Sequence, residues 1–171
     1  VGVALAVRGE EGAVREVREE PLGREEQLGA PRDIYEAPRN MFVADFIGET
    51  NLLEVSVEEI RGGKASCHLG GGHKLICNAI DGIGVGAKVH MSLRPERLFI
   101  SETSNGRESL KGKIRENIFV GTDITTIVDL VDGPQFVVRT SNSDWGNKRI
   151  FDPGKDVFIN MEQGAARLLL D

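Results

Sequence analysis

After Asn51 the chain alternates apolar and polar residues in short runs, a pattern that predicts β-strands rather than helices. A period of two sends successive side chains to opposite faces of a strand, so each run predicts a strand with one buried face. The predicted strands cover residues 52–59, 64–69, 73–79, 87–93, 97–100, 110–119, 122–131, 134–140, 155–161 and 166–170.

Glycine-containing turns separate several of these runs at hairpin spacing. They are Gly62-Gly63, Gly70-Gly71-Gly72, Asp81-Gly82 and Asp132-Gly133. Such residues tolerate the positive φ angles that tight hairpin turns require. Many short strands joined in this way predict a mainly β fold, either a barrel or a sandwich.

Residues 31–48 carry a different pattern, which predicts two short helices. Pro31 suits the first turn of a helix, and Pro38 ends that helix. Phe42, Val43, Phe46 and Ile47 then recur at helical spacing, and Gly48 ends the second segment. A short helical segment is therefore expected before the β region.

Residues 1–26 are unusual in composition, because Leu5, Pro21 and Leu22 are the only ones that are not Val, Gly, Ala, Arg or Glu. Alternation in residues 1–7 is compatible with a short strand, but residues 10–26 offer little to bury. We expect this stretch to be irregular or marginally ordered. One hypothesis is that it is a truncated or frame-shifted remnant.

Composition is that of a globular protein, with 40% hydrophobic and 28% charged residues. The net charge is −6, and most of it lies in residues 1–50. An acidic chain lacks the basic surface that nucleic-acid binding usually requires. No apolar run approaches the ~20 residues of a membrane span. Two cysteines give no disulfide framework and favour a reducing, cytoplasmic location.

No motif for nucleotide chemistry is present in the sequence. The phosphate-binding loop needs G-x-x-x-x-G-K-[ST], and neither Lys64 nor Lys74, which follow glycine-rich turns, has that spacing. Three scattered histidines offer no Ser/His/Asp arrangement either. We therefore assign no catalytic and no cofactor-binding residue.

The segment Cys67–Cys77 holds two cysteines and two histidines, which raises the question of a zinc site. A hairpin in which Leu69 faces His73 puts Cys67, His73 and Cys77 on one face and His68 on the other. The two cysteines then lie diagonally, about 7–8 Å apart, which disfavours a disulfide. Buried thiols in a packed core are the favoured interpretation, so no metal site is assigned.

Several segments of the sequence resemble a known protein family. Pro31-Arg32-Asp33-Ile34-Tyr35-Glu36-Ala37-Pro38 with Phe42-Val43-Ala44-Asp45-Phe46-Ile47-Gly48-Glu49 resembles the seam where the ATPase domain of an ABC importer ends and its C-terminal regulatory domain begins. Val89–Leu98, which contains Arg94-Pro95-Glu96, and Gly112–Gly121 resemble strands of the transport-associated OB (TOBE) domain. The resemblance spans roughly residues 23–171 and is greatest to importers of spermidine and putrescine.

This resemblance implies an OB-like β-barrel, in one or two barrel-like lobes. It divides the chain into an irregular remnant (1–26), the helical end of an ATPase domain (27–50) and a TOBE domain (51–171). It implies a regulatory and dimerising role that is non-catalytic by itself. ATP and Mg²⁺ would bind in the absent ATPase domain, which would also contact the permease subunits. The expected assembly is a cytoplasmic homodimer, peripheral to the inner membrane and not inserted in it.

Candidate contact residues for a dimer or another domain are His90, Arg94 and Glu96. Arg94 and Glu96 flank a proline at a strand end, so a local turn is the favoured alternative for them. Asp144 and Trp145, in the polar loop 141–149, suit either a ligand in a barrel mouth or a loop anchored by the indole.

The alternative function is a free-standing OB-fold domain that binds a small anion or an oligonucleotide. Oligonucleotides need a basic groove with stacking aromatics, and the chain has one Trp and one Tyr, with Tyr35 outside the barrel.

Overall fold

The computed structural model describes the backbone of residues 2–7 and 23–26, and backbone with side chains for residues 27–106, 108–141 and 150–169. The chain divides into two compact units, of which Thr50–Leu168 is the larger, and the smaller combines Val1–Glu49 with the C-terminal residues from Leu169. No helix within the described residues is long and apolar enough to cross a membrane.

The smaller unit combines a parallel strand pair with two short helices. Its elements are β1 (Gly2–Val7), β2 (Gly23–Gly29), α1 (Pro31–Glu36) and α2 (Met41–Ile47). Pro31 opens α1, and the side chain of Asn40 caps α2 by accepting a hydrogen bond from the Val43 amide at 2.9 Å. Ile34, Val43 and Ala44 are the buried residues of these helices.

The larger unit contains two five-stranded sheets. Their strands are β3 (Asn51–Arg61), β4 (Lys64–His68), β5 (Lys74–Asn78), β6 (Lys88–Leu93), β7 (Leu98–Ser101), β8 (Leu110–Val120), β9 (Asp123–Leu130), β10 (Gln135–Ser141), β11 (Asp156–Met161) and β12 (Arg167–Leu169). Sheet I has the strand order β10-β9-β8-β11-β7, and sheet II has the order β12-β6-β3-β4-β5.

Sheet I curls into a half-barrel. Its edge strand β10 lies against β7 at the opposite edge and against the 3₁₀ helix Pro95–Arg97 that precedes β7. Strand β8 bends where the register shifts between Ile114 and Glu116, a β-bulge that increases local twist. Curvature of this kind brings the two edges of one sheet together.

The alternating pattern of the sequence explains the core. Buried and less buried positions alternate along β9, and they also alternate along β3 from Asn51 to Val57. The inward side chains of both sheets form one cluster that extends from Leu53 to Leu168. Phe136, Met91 and Ile159 are among the largest fully buried side chains. Burial of such residues is the main driving force for folding this unit.

The predicted mainly β, OB-like fold with a short helical segment before it is confirmed. All ten predicted strands are present, with small differences at their ends. One correction concerns Gly23–Gly29, which forms strand β2, whereas irregular chain and then helical structure were expected. The predicted loop 141–149 begins within β10 at Ser141, and its remainder, with Asp144 and Trp145, lies outside the described residues.

Candidate functional site

The two sheets of the larger unit are joined by the side chain of Asn51. This residue starts β3 and is 5% exposed. Its Nδ2 donates to the carbonyl oxygens of Val137 at 2.8 Å and Leu93 at 3.1 Å, and its Oδ1 accepts from the Val137 amide at 2.6 Å. The carboxamide thus bonds both backbone groups of Val137 as a neighbouring strand would. It links sheet II to the edge of sheet I.

Sequence reasoning missed Asn51, although a signal was present. Asn51 has the same parity as Leu53, Val55 and Val57, so alternation alone puts its side chain on the buried face. A polar side chain in such a place must find hydrogen-bond partners.

The turn after β6 contains two of the predicted contact residues. Arg94 has extended backbone and is 7% exposed, Pro95 begins the 3₁₀ helix, and Glu96 is exposed. The Arg97 amide donates to the Arg94 carbonyl at 3.1 Å, which closes the turn. Arg94 is therefore largely enclosed by its own chain, whereas Glu96 presents accessible surface.

Arg97, which sequence reasoning did not single out, makes several side-chain contacts across this turn. Its guanidinium donates to the Glu162 carboxylate at 3.1 Å and to the carbonyl oxygens of Gly164 and Gln163 at 3.2 Å each. The planar fork of arginine suits such multiple contacts. Arg97 holds the connection between β11 and β12 against the start of β7.

His90 lies on β6 directly opposite Glu54 of β3. It is half-buried, and Met91 beside it is fully buried, as alternation predicts. The role of His90, Arg94 and Glu96 as a dimer or interdomain contact remains a prediction.

The cysteine hairpin has the predicted register. Cys67 pairs with Leu75 and Cys77 pairs with Ala65, so the two cysteines lie diagonally across β4 and β5. Both are buried, at 0% and 3% exposure, and neither is in a disulfide. The hydrogen bond with Cys67, together with burial, raises the pKa of the Cys77 thiol. Buried thiols of this kind behave as small core residues.

The histidines of this hairpin support its turn. The Gly70 amide donates to Nδ1 of His68 at 3.3 Å, and Nε2 of His73 lies 2.9 Å from the Val131 carbonyl oxygen. Gly71 packs against the Val131–Gly133 turn so closely that a Cβ atom there would lie 2.5 Å from the Val131 oxygen. The β4–β5 turn of sheet II is thereby docked on the β9–β10 turn of sheet I.

Within the described parts of the chain, no group of three or more His, Cys, Asp or Glu side chains is placed to hold a metal ion. The described geometry offers a double-sheet scaffold around one hydrophobic cluster, with accessible strand edges and loops. Such surfaces suit recognition by contact.

Comparison with protein families gives a match within the larger unit. The model described as "TOBE domain" matches residues 91–169, which run from β6 through β12.

Relatives of known name match a larger share of the chain. The spermidine/putrescine import ATP-binding protein PotA of Roseobacter denitrificans is 48% identical over 147 residues, which is 86% of this chain and 40% of that protein. The spermidine/putrescine import ATP-binding protein PotA 1 of Pseudomonas aeruginosa is 38% identical over 87% of this chain and 39% of that protein. The chain thus spans about two fifths of the length of these relatives.

A solved structure shares the fold. The cytoplasmic molybdate-binding protein ModG, in a molybdate-bound crystal form, superposes with a TM-score of 0.61 at 16% identity, over 71% of this chain and 96% of that one. At that identity the likeness supports the double-sheet fold alone.

Proposed function

Because residues 91–169 match the TOBE domain model and the chain is similar to part of polyamine import ATP-binding proteins, we propose that it is the regulatory and dimerisation domain of such a subunit. The observation that carries the proposal is the 48% identity to one such subunit over 86% of this chain. The substrate of the importer would be spermidine or putrescine, as the names of the relatives state.

The chain is non-catalytic by itself in this proposal. The sequence contains no phosphate-binding loop, and that loop supplies the positioning on which phosphoryl transfer depends. ATP and Mg²⁺ would be bound by an ATPase domain of the kind that the relatives' names imply. That domain would sit on the cytoplasmic side of the inner membrane and engage the permease subunits.

The domain would regulate the ATPase domains through contacts made by its own surface. The hydrogen bonds of Asn51 between the two sheets and the single hydrophobic cluster support a role as a folded unit through which two ATPase domains would associate. Dimerisation would then raise the local concentration of one ATPase domain near the other.

A chimera tests the function. Residues 27–171 would replace the matching segment of Roseobacter denitrificans PotA, and a variant that ends before this segment would be the control. We expect the chimera to support spermidine uptake and ATP hydrolysis at rates within a few-fold of the native subunit. Rates no higher than those of the shortened control would contradict the proposal.

The dimerising role is tested with the purified chain. Light scattering coupled to size exclusion should give a mass near twice the 18.6 kDa of one chain. A mass of one chain at every concentration up to about millimolar, the range of weak association, would exclude this role.

A further inference from the structure

The edges of the two sheets differ in how they are protected. In sheet I the middle of edge strand β10 is occupied, because the Val137 amide and carbonyl bond to Asn51. The other edge strand, β7, lies against β10. In sheet II, edge strand β12 is three residues long, and so short a strand offers little edge for another strand to pair with. Strand β5 remains, and within the described residues its one neighbour in the sheet is β4.

The backbone of β5 presents hydrogen-bonding groups on its outer side. The Leu69 amide bonds the His73 carbonyl, and the Ala79 amide bonds the Gly63 carbonyl. In an antiparallel ladder the bonded pairs alternate, so Leu75 and Cys77 direct their amides and carbonyls toward β4. Lys74, Ile76 and Asn78 therefore direct theirs away from the sheet.

The side chains of these three residues are arranged symmetrically about Ile76. Ile76 is 43% exposed at the middle of the strand, with Lys74 two residues before it and Asn78 two residues after it. An antiparallel copy of the same strand, centred on Ile76, places Ile76 against Ile76 and each Lys74 against an Asn78. No like charges face each other in this register, which is a self-complementary arrangement.

We propose that the β5 edge is the surface through which two copies of this chain dimerise, by antiparallel pairing of β5 with β5 of a second copy. This inference rests on the dimerisation proposed above and identifies its interface. Three facing residue pairs would form about six backbone hydrogen bonds across the two-fold axis. The two copies of sheet II would then form one continuous ten-stranded sheet.

The charges near β5 are compatible with this pairing. Lys74 forms an ion pair with Glu58 at 2.5 Å, so its charge is compensated within its own chain. Lys64 donates to Oδ1 of Asn78 at 2.7 Å across β4 and β5. A lysine facing Asn78 across a strand pair is therefore an arrangement that this sheet already contains. The centre of the edge carries isoleucine rather than the charged residue that protects many solitary edges.

Cysteine cross-linking tests the register. In the full chain carrying Ile76→Cys, two facing residues of the proposed pair lie about 5.5 Å apart between Cα atoms, within the range of a disulfide. Oxidation with copper phenanthroline should convert most of this variant to a covalent dimer. Val85→Cys and Phe119→Cys, whose native residues are 65% and 61% exposed, are the controls. We expect little dimer from either.

A charge series at Asn78 tests the same register without cross-linking. Asn78→Asp keeps an oxygen for Lys64 and sets a carboxylate against Lys74 of the second copy, so the dimer should tighten about threefold to tenfold in sedimentation equilibrium. Asn78→Lys sets like charges face to face in two symmetric places and should weaken the dimer by a similar factor.

The outcomes separate the two proposals. A chain that is monomeric in light scattering removes dimerisation itself. A dimer that cross-links through Phe119→Cys and not through Ile76→Cys overturns the β5 interface and leaves dimerisation intact. Equal affinities for the Asn78→Asp and Asn78→Lys variants would likewise overturn the β5 interface.

Discussion

At the scale of single residues, Asn51 shows how one polar side chain can hold two sheets together. A buried carboxamide is costly unless its donors and acceptor are satisfied. Asn51 satisfies both and in turn satisfies the Val137 amide and carbonyl, which lie at the edge of sheet I. The two hydrogen bonds to Val137 thus link the two sheets and also occupy the edge of sheet I where another strand could pair.

Replacing the Asn51 side chain should lower the free energy of unfolding. Asn51→Ala leaves the half-buried Val137 amide and carbonyl without their partner, so the free energy of unfolding should fall by about 1–3 kcal/mol. Urea denaturation followed by circular dichroism gives this value. Asn105→Ala, which removes an exposed asparagine side chain outside both the Asn51 contact and the β5 edge, is the control and should change the free energy by less than about 0.5 kcal/mol. Similar losses for both variants would contradict the role of Asn51.

The two thiols should be unreactive in the folded chain. Both thiols are buried, at 0% and 3% exposure, so a reagent cannot reach either sulfur, and the pKa of the Cys77 thiol is also raised by its hydrogen bond with Cys67 and by burial. Reaction with Ellman's reagent should therefore follow the rate of unfolding and accelerate with urea. A Val85→Cys variant places a thiol on the exposed loop and should react at once with one equivalent. Immediate reaction of the unsubstituted chain would show that the hairpin opens without unfolding.

At the scale of elements, alternation predicted the strands and the hairpin register, because both depend on neighbouring residues. The diagonal placement of Cys67 and Cys77 follows from the glycine turn between them. Alternation did not predict strand β2. Its first residues, Gly23-Arg24-Glu25-Glu26, have low strand propensity, and the strand exists through parallel pairing with β1, twenty-one residues earlier.

The candidate site was less predictable than the fold because its contacts join residues that are distant in the sequence. The turn at Arg94 could be predicted from Pro95, but the contacts of Arg97 join residues 65–67 positions apart. The docking of Gly71 on the Val131–Gly133 turn depends on how the two sheets stack. Such contacts are set by tertiary packing, which local patterns do not encode.

The docked turns make a prediction at this scale. A Cβ atom at Gly71 would lie 2.5 Å and 2.6 Å from two carbonyl oxygens, whereas one at Gly72 has nothing within 4 Å. Both glycines have positive φ, of 56° and 78°, so either alanine variant carries backbone strain. Gly71→Ala should therefore be less stable than Gly72→Ala by about 1–3 kcal/mol, the usual cost of overpacking.

Thermal and urea unfolding of the two variants side by side measure that difference. Equal stabilities would mean that the β4–β5 turn moves away from the β9–β10 turn at no cost. That result would remove the contact between the turns as a link between sheet I and sheet II.

At the scale of the whole molecule, the larger unit contains its own core. Every residue of the main hydrophobic cluster lies between Leu53 and Leu168, and Ile34, Val43 and Ala44 of the smaller unit are outside it. The helices of the smaller unit have local caps and hydrogen bonds, such as Arg32 to Glu36 at 2.7 Å. The main cluster of the larger unit is thus made entirely of residues that follow Thr50.

A shortened chain that begins at Thr50 should consequently fold. It keeps both sheets, the Asn51 seam and the whole cluster, and a domain of this size buries enough apolar surface to be stable without staples. We expect a β-type circular dichroism spectrum and one cooperative urea transition, with the Asn51→Ala loss reproduced in the shortened background. A non-cooperative transition would show that residues 1–49 contribute to the stability of the sheets. Since additivity holds for distant, independent sites, an altered Asn51→Ala loss would place that contribution at the seam.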